Sequence, residues 1–440
     1  MLESYKIHSQ FILVLVIMYV SGVWLGPIIY LLFPSVFFLF GLKKFLFEIF
    51  IITIWMLMLS DYVPVKNATH DDLQFAKDLK FLLPIGLAGF TVLHWKRLTP
   101  IPKFQLFFIP FFICAVIGLN YALTPQVGVQ KTISIVLMYF FIPIVVNFLH
   151  REQGEYFWKA LITFLIGMLM IGIVLRFVAP QIAMIEGGRF KSVLGNPNGL
   201  GIFLYLVYAL WMIVRTKNLA NFSRRANRLI FLVIFISIIW CGSRNGMISM
   251  LLFYAVYRLT KINWFLAILV VAALITFSDF LFELFLFAVE FIGLQNYFRV
   301  DSIEEGSGRV IAWVFAWEEI QKYFFFGGGF GQDEAVMRPN YYWLSMKGHQ
   351  GGVHNSYLSM WFDTGIIGVI SYFTAFMSIV FRSMRSNYLV LAFAFSFLFN
   401  IIYESWLVAS LNPFTFIYLT ILTIFAADLS PKTQVQENED

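Results

Sequence analysis

Apolar runs of about 15 to 22 residues recur along almost the whole chain, each long enough to cross a bilayer as a helix. Hydrocarbon offers backbone groups no partners, so such a run folds as a helix, whose N–H and C=O groups satisfy one another within the segment. The runs lie near 11–23, 25–42, 45–60, 79–94, 105–123, 132–149, 157–178, 199–214, 228–242, 244–260, 262–278, 357–381, 386–403 and 406–427. That makes about fourteen spans, or about twelve if the two short first ones merge or re-enter. Composition points the same way: 60% of the 440 residues are hydrophobic and 13% charged, against roughly a quarter charged in a soluble domain. The expected fold class is all-α, a polytopic integral membrane protein. One membrane domain is expected over 1–427, with a disordered cytoplasmic tail, "DLSPKTQVQENED", ending the chain over 428–440.

Basic residues decide which side each connection faces. Lys43 and Lys44, Lys96, Arg97 and Lys103, Arg151 and Lys159, the group from Arg215 to Arg228, Arg258 and Lys261, and Arg382 and Arg385 fall on one side if the spans alternate. That side is expected to be cytoplasmic and to hold both termini. The net charge of +6 then needs no nucleic-acid partner. The opening "MLESYKIHSQFILVLVIMYV" lacks a small-residue cleavage site and reads as a retained anchor. Cys114 and Cys241 lie inside expected spans without metal-ligand spacing and are expected to be packing residues.

Three connections on the other side interrupt the apolar pattern: 61–78, 179–198 and the long 279–356. Long loops in compact domains are usually functional. The last begins "DFLFELFLFAVEFIGL", where Glu283 and Glu290 share one face of a helix otherwise made of Phe and Leu. An interfacial helix is expected there, because inserting it would reverse the side of Arg382 and Arg385.

Four separate segments deliver cations or an imidazole to that same side. "EGGRFKSVLGNPNGLG" carries Arg189, Lys191, Asn196 and Asn198; "CGSRNGM" carries Arg244; "EEGSGRVIAWVFAWEEI" carries Arg309; "HQGGVHNSYL" carries His354. Retention signals do not explain arginines on the side the charge rule leaves poor in them. Guanidinium forks suit phosphate, since each binds two oxygens and stays charged, so a diphosphate is the expected ligand. Blander roles stand beside this one: Arg189 paired with Glu186, Arg244 on a lipid headgroup, His354 as a packing or capping residue. Arg309 opens a helix, where a cation is mildly unfavourable, which argues against a purely structural role. Arg176 reads as a snorkelling residue.

His354 is the one proton carrier among these groups near neutral pH and is the candidate general base. Asn355 or Ser356 can cap the span that follows. Asp363, nine residues on, faces nearly the opposite way on a continuous helix, so it reaches His354 only if His354 precedes the helix and folds back. Glu304, Glu305, Asp333 and Glu334 are further candidate bases on the long loop. No nucleophile elbow, zinc motif or phosphate-binding P-loop is present, and no metal or cofactor is expected. "FFFGGGFG", 324–331, reads as a turn or hinge that lets the loop pack closely.

Arg189 with "GNPN", "GSRNG" between two spans, "GR…W", "GGGFG" and "HNSYLSMWFDTGIIG" together resemble the O-antigen ligase and polymerase superfamily of bacterial surface-polysaccharide assembly, over about residues 185–381. The resemblance implies a multi-pass glycosyltransferase of the bacterial inner membrane with a periplasmic active site, acting on an undecaprenyl-diphosphate-linked glycan. It implies that His354 is the essential histidine and that Arg189, Arg309 and Arg244 handle the diphosphate, with Asn198, Asn355, Tyr357 and Asp363 in support. Asp363 departs from the pattern, which usually has Glu there, and has a shorter reach. The implied reaction is metal-independent and inverting. The acceptor is either a second lipid-linked repeat unit, making the chain a polymerase that can work with a chain-length regulator, or lipid A core, making it a ligase. No ligase-specific feature stands out, which favours the polymerase. A flippase would show an internal repeat and ionisable residues at the bilayer midplane; neither is evident in the sequence.

Overall fold

The computed structural model describes residues 46–62, 79–185, 188–277, 309–349, 351–384, 387–408 and 411–430, with isolated positions elsewhere. Each expected span on these residues contains a helix, although the 386–403 and 406–427 spans are helical only over Leu389–Asn400 and Pro413–Ala426, and no β-strand occurs among the described residues. In chain order the principal helices are α1 (Leu46–Tyr62), α2 (Leu82–Leu93), α3 (Phe104–Tyr121), α4 (Pro125–Gln153), α5 (Glu155–Val178), α6 (Pro197–Thr216), α7 (Arg224–Cys241), α8 (Arg244–Ile262) and α9 (Trp264–Thr276). The long loop supplies α10 (Arg309–Ile320), α11 (Gln332–Met337) and α12 (Tyr341–Met346); α13 (Ser356–Ser383), α14 (Leu389–Asn400) and α15 (Pro413–Ala426) follow.

Among the described residues five helices, α3, α4, α5, α6 and α13, are long and apolar enough to cross a membrane alone. The expected count of about fourteen is therefore not confirmed. Windows 11–23 and 25–42, most of the expected interfacial helix at 279–294, Glu186, Glu304 and Glu305, and residues 431–440 lie outside the described residues. Leu429, at the start of the expected tail, is buried, and Asp428 pairs with Lys217 at 3.0 Å.

Burial sorts the helices into layers. The apolar window of α6 is 94% buried, so it is a central post; α7, α8 and α15 pack around it, and α14 packs on α8. The outer faces remain apolar: Phe231, Leu232 and Phe235 on α7 and Val174 and Phe177 on α5 are exposed. Such a surface suits lipid rather than water.

The long loop is fastened to α13 where that helix breaks. Gly365 has φ +66 and ψ 178, which interrupts the helical ladder and leaves nearby N–H and C=O groups without their usual partners. The "FFFGGGFG" run supplies replacements. Gly328 and Gly329 N–H donate to Phe362 and Asp363 O at 2.8 and 2.9 Å, and Ile366 and Ile367 N–H donate to Phe324 and Phe325 O at 2.8 and 3.3 Å. Broken backbone in a membrane protein is tolerated where protein satisfies it in this way. A Cβ on Gly365 would overlap Phe325 O, so only glycine fits the break. The glycine run is thus a clasp. Around it Ala312, Ala316 and Ile320 of α10, Met337 of α11, Val353 and Phe362 form a second, smaller core.

Candidate active site

Glu404 is the hub of the site. After α14 ends at Asn400, the chain folds back onto the start of α13: Ser356 N–H donates to Ile401 O at 2.9 Å, and the Ser356 hydroxyl donates to Glu404 O at 2.6 Å. These bonds hold the Glu404 side chain, only 9% exposed, against two residues singled out from the sequence. Its Oε1 accepts from Arg309 Nη2 at 3.0 Å, and its Oε2 lies 3.5 Å from His354 Nδ1. The second contact is longer than a formed hydrogen bond; catalytic pairs often tighten only when substrate arrives.

Backbone geometry aims His354. Its φ of +49 is left-handed, a conformation that costs a non-glycine residue about 1–3 kcal/mol. The ring therefore reaches Glu404 instead of following α13, and Asn355 begins that helix by accepting from Tyr357 and Leu358 N–H at 2.9 and 3.1 Å. On the other side of the ring a Cβ on Gly351 would stand 2.9 Å from Nε2, so the glycine leaves room beside that nitrogen. His349 braces the same turn by donating from Nε2 to Gly352 O at 2.9 Å. Burial, joined by the His354 and Arg309 charges, holds the His349 imidazole below its ordinary range against the Gly352 hydrogen bond.

A second group of contacts brings in Arg189. Its Nε donates to Cys241 O and its Nη2 to Asn198 Oδ1, both at 3.1 Å, so it ties the 188–196 loop to the first turn of α6 and to the turn before α8. Arg244, half-buried, is the first residue of α8, behind its cap Ser243. The neighbouring Asn245 donates from Nδ2 to Asn400 O at 2.9 Å, which joins this group to the turn that carries Glu404. Cys241 Sγ donates to Pro197 O at 3.1 Å, and Asn412 Nδ2 donates to Trp406 O at 3.0 Å. Through these contacts α6, α8, α13 and α15 open onto one region, capped by Asn196, Ser243, Asn355 and Asn412. Helix N-termini carry partial positive charge and uncommitted N–H groups, which together with arginine suit an anion.

Other residues singled out from the sequence sit elsewhere. The structure does not bring Asp363 to His354. Asp363 is 1% exposed, and its Oδ1 accepts from Gly331, Gln332 and Asp333 N–H at 3.1, 3.0 and 3.4 Å, capping α11 beneath the clasp. Tyr357 donates its hydroxyl to Leu398 O at 3.1 Å and stacks on Phe373. Asp333 and Glu334 belong to the clasp, where Glu334 pairs with Lys131 at 2.8 Å. Desolvation pushes the Asp333 carboxyl up despite Lys131, whereas in Glu334 the Lys131 charge and hydrogen bond outweigh burial and hold it down. Lys191 is 5% exposed with Nζ 4.2 Å from the Tyr62 ring centre, and Arg176 lies 3.8 Å over Trp240. Glu404, Asn245 and His349 were not singled out by sequence reasoning.

No curated protein and no solved structure matches the chain. Residues 229–373 match the family model described as O-antigen ligase, a stretch that includes Arg244, Arg309 and His354 but ends before Glu404 and begins after Arg189. Over that stretch, about a third of the 440 residues, the chain is similar to O-antigen ligases.

Proposed function

We propose that the chain polymerises undecaprenyl-diphosphate-linked repeat units at the periplasmic face of the bacterial inner membrane, as one membrane domain with both termini cytoplasmic. The observation that carries this reading is the Arg309–Glu404–His354 cluster, with Arg189 joined to it through the turn before α8. As the His354–Glu404 pair closes on substrate, Glu404 accepts from the His354 Nδ1–H, which fixes the tautomer and leaves Nε2 as the proton acceptor. Nε2 takes the proton from an acceptor-sugar hydroxyl as its oxygen bonds to the anomeric carbon. The bond from that carbon to the diphosphate oxygen breaks on the opposite face, so the anomeric centre inverts. Arg189, Arg244 and Arg309, with the helix N-termini, neutralise the departing polyprenyl diphosphate. No metal is assigned a step.

The family model's description favours a second reading, in which the acceptor is lipid A core and the chain is a ligase. The donor chemistry is common to both. Purified protein given only its undecaprenyl-diphosphate-linked repeat unit separates them: a ladder of longer glycans supports the polymerase. Product that forms only once lipid A core is added overturns it in favour of the ligase.

A further inference from the structure

α13 begins beside Glu404 and ends at Ser383, and two shorter neighbours, α3 and α15, pack along it. α3 approaches the clasp at its C-terminal end, where Leu123 N–H donates to Gln332 Oε1 at 3.1 Å. α15 starts at the Asn412 cap, which is bonded to Trp406 near the site. Their opposite ends, the start of α3 and the last turns of α13 and α15, meet around a cavity of about 360 Å³. It lies at the far end of these helices from His354.

Phe104, Phe107, Ile379 and Ala426 line this cavity, with Lys103 and Arg382 as its charged members. Both cations are exposed, and the Arg382 guanidinium sits 4.6 Å from the Phe107 ring centre. Among the described residues neither Lys103 nor Arg382 pairs with a carboxylate. A role in membrane orientation accounts for two basic residues at span ends. It does not account for an apolar cleft beneath them, between three helices and of a volume within the usual ligand range of about 300–1,000 Å³.

The geometry points to a binding site for an anionic phospholipid of the leaflet opposite the active site. The phosphate is held between Lys103 and Arg382, and an acyl chain lies along Phe104, Phe107 and Ile379. Guanidinium and ammonium groups beside an apolar groove match the two halves of such a ligand. A zwitterionic headgroup would bring its own cation against two that pair with no carboxylate among the described residues, so an anionic lipid is preferred. Because the lipid touches α3, α13 and α15 together, its binding stabilises the helices that hold the active site.

The test uses the full chain in nanodiscs containing both phosphatidylglycerol and phosphatidylcholine, with retained lipid identified by native mass spectrometry. The wild type is expected to retain phosphatidylglycerol selectively. Arg382→Gln is expected to lower that retention about five-fold, and adding Lys103→Gln about five-fold more. Ile379→Trp keeps both charges but fills the cavity, and is expected to lose the lipid as well. Arg382→Lys is expected to keep most of it. Should the double variant not fold, the single variants decide. Equal retention of the two lipids by the wild type overturns the proposal, as does unchanged retention in both Arg382→Gln and Ile379→Trp.

Discussion

The turn before α13 and the break inside that helix are nine residues apart, measured from His354 to Asp363, and are held in opposite ways. At the break the groups freed by Gly365 find partners in the glycine clasp, and Asp363 takes three N–H groups at once. At the turn His354 is left-handed, 30% exposed at its side chain, and 3.5 Å from the carboxylate it faces. One region is a dense set of backbone hydrogen bonds that fixes the frame, with Asp363 Oδ1 fully engaged and its Oδ2 left without a partner among the described residues. The other keeps slack that substrate can take up. In the proposed mechanism the rigid clasp frames the turn that carries the general base.

Substitutions at four positions break or sharpen that contrast. His354→Ala is expected to cut kcat by about 10²–10⁴, the usual contribution of a general base, with little change in thermal stability. Release of undecaprenyl diphosphate and Tm, measured on the same preparation, check both halves. Asp363→Ala is expected to do the reverse. It leaves three buried N–H groups without their acceptor, so stability falls by about 3 kcal/mol, while activity per folded molecule changes much less. Asp363→Asn, which keeps an acceptor oxygen, is expected to recover most of that loss in a denaturation series.

Gly351→Ala is a smaller perturbation. The φ of +110 disfavours alanine, and the added methyl crowds His354 Nε2, so about ten-fold lower activity is expected, with a stability cost of about 1 kcal/mol. Kinetics with a short and a long acceptor glycan check it, since the crowding acts on both alike. The smallest effect concerns His349, whose folded pKa lies below its ordinary 6.5. The unfolded chain then binds that proton more tightly, so the stability tied to neutral His349 is full above 6.5 and is lost as pH falls through the lower folded value. A Tm series from pH 7.5 down to about pH 5 is expected to slope downward in the wild type and to flatten in His349→Gln.

The helical fold was legible because long apolar runs admit little else. The arginines and His354 were legible because they stood against the charge rule for their side. Glu404 was missed for the converse reason. Acidic residues weigh little in membrane orientation, so a lone Glu in "YESWL" between two apolar runs raised no conflict. The sequence signal was present in its location, an ionisable residue at a turn on the same expected side as His354. Asp363 lies away from His354, as its helical spacing implied, but the spacing gave no sign of its cap on α11, because α13 starts after His354 and breaks at Gly365. The clasp could not be read from "GGGFG" alone, because its partners are backbone groups exposed by that break.

The most direct measurement compares wild type, His354→Ala, Glu404→Gln and Asp363→Asn for release of undecaprenyl diphosphate from the purified lipid-linked glycan, each corrected for folded protein. The account predicts that His354→Ala is all but inactive, that Glu404→Gln loses about 10² in kcat with little change in KM, and that Asp363→Asn stays within about ten-fold of wild type. Full activity in Glu404→Gln, or an Asp363→Asn loss as deep as that of His354→Ala, would contradict it.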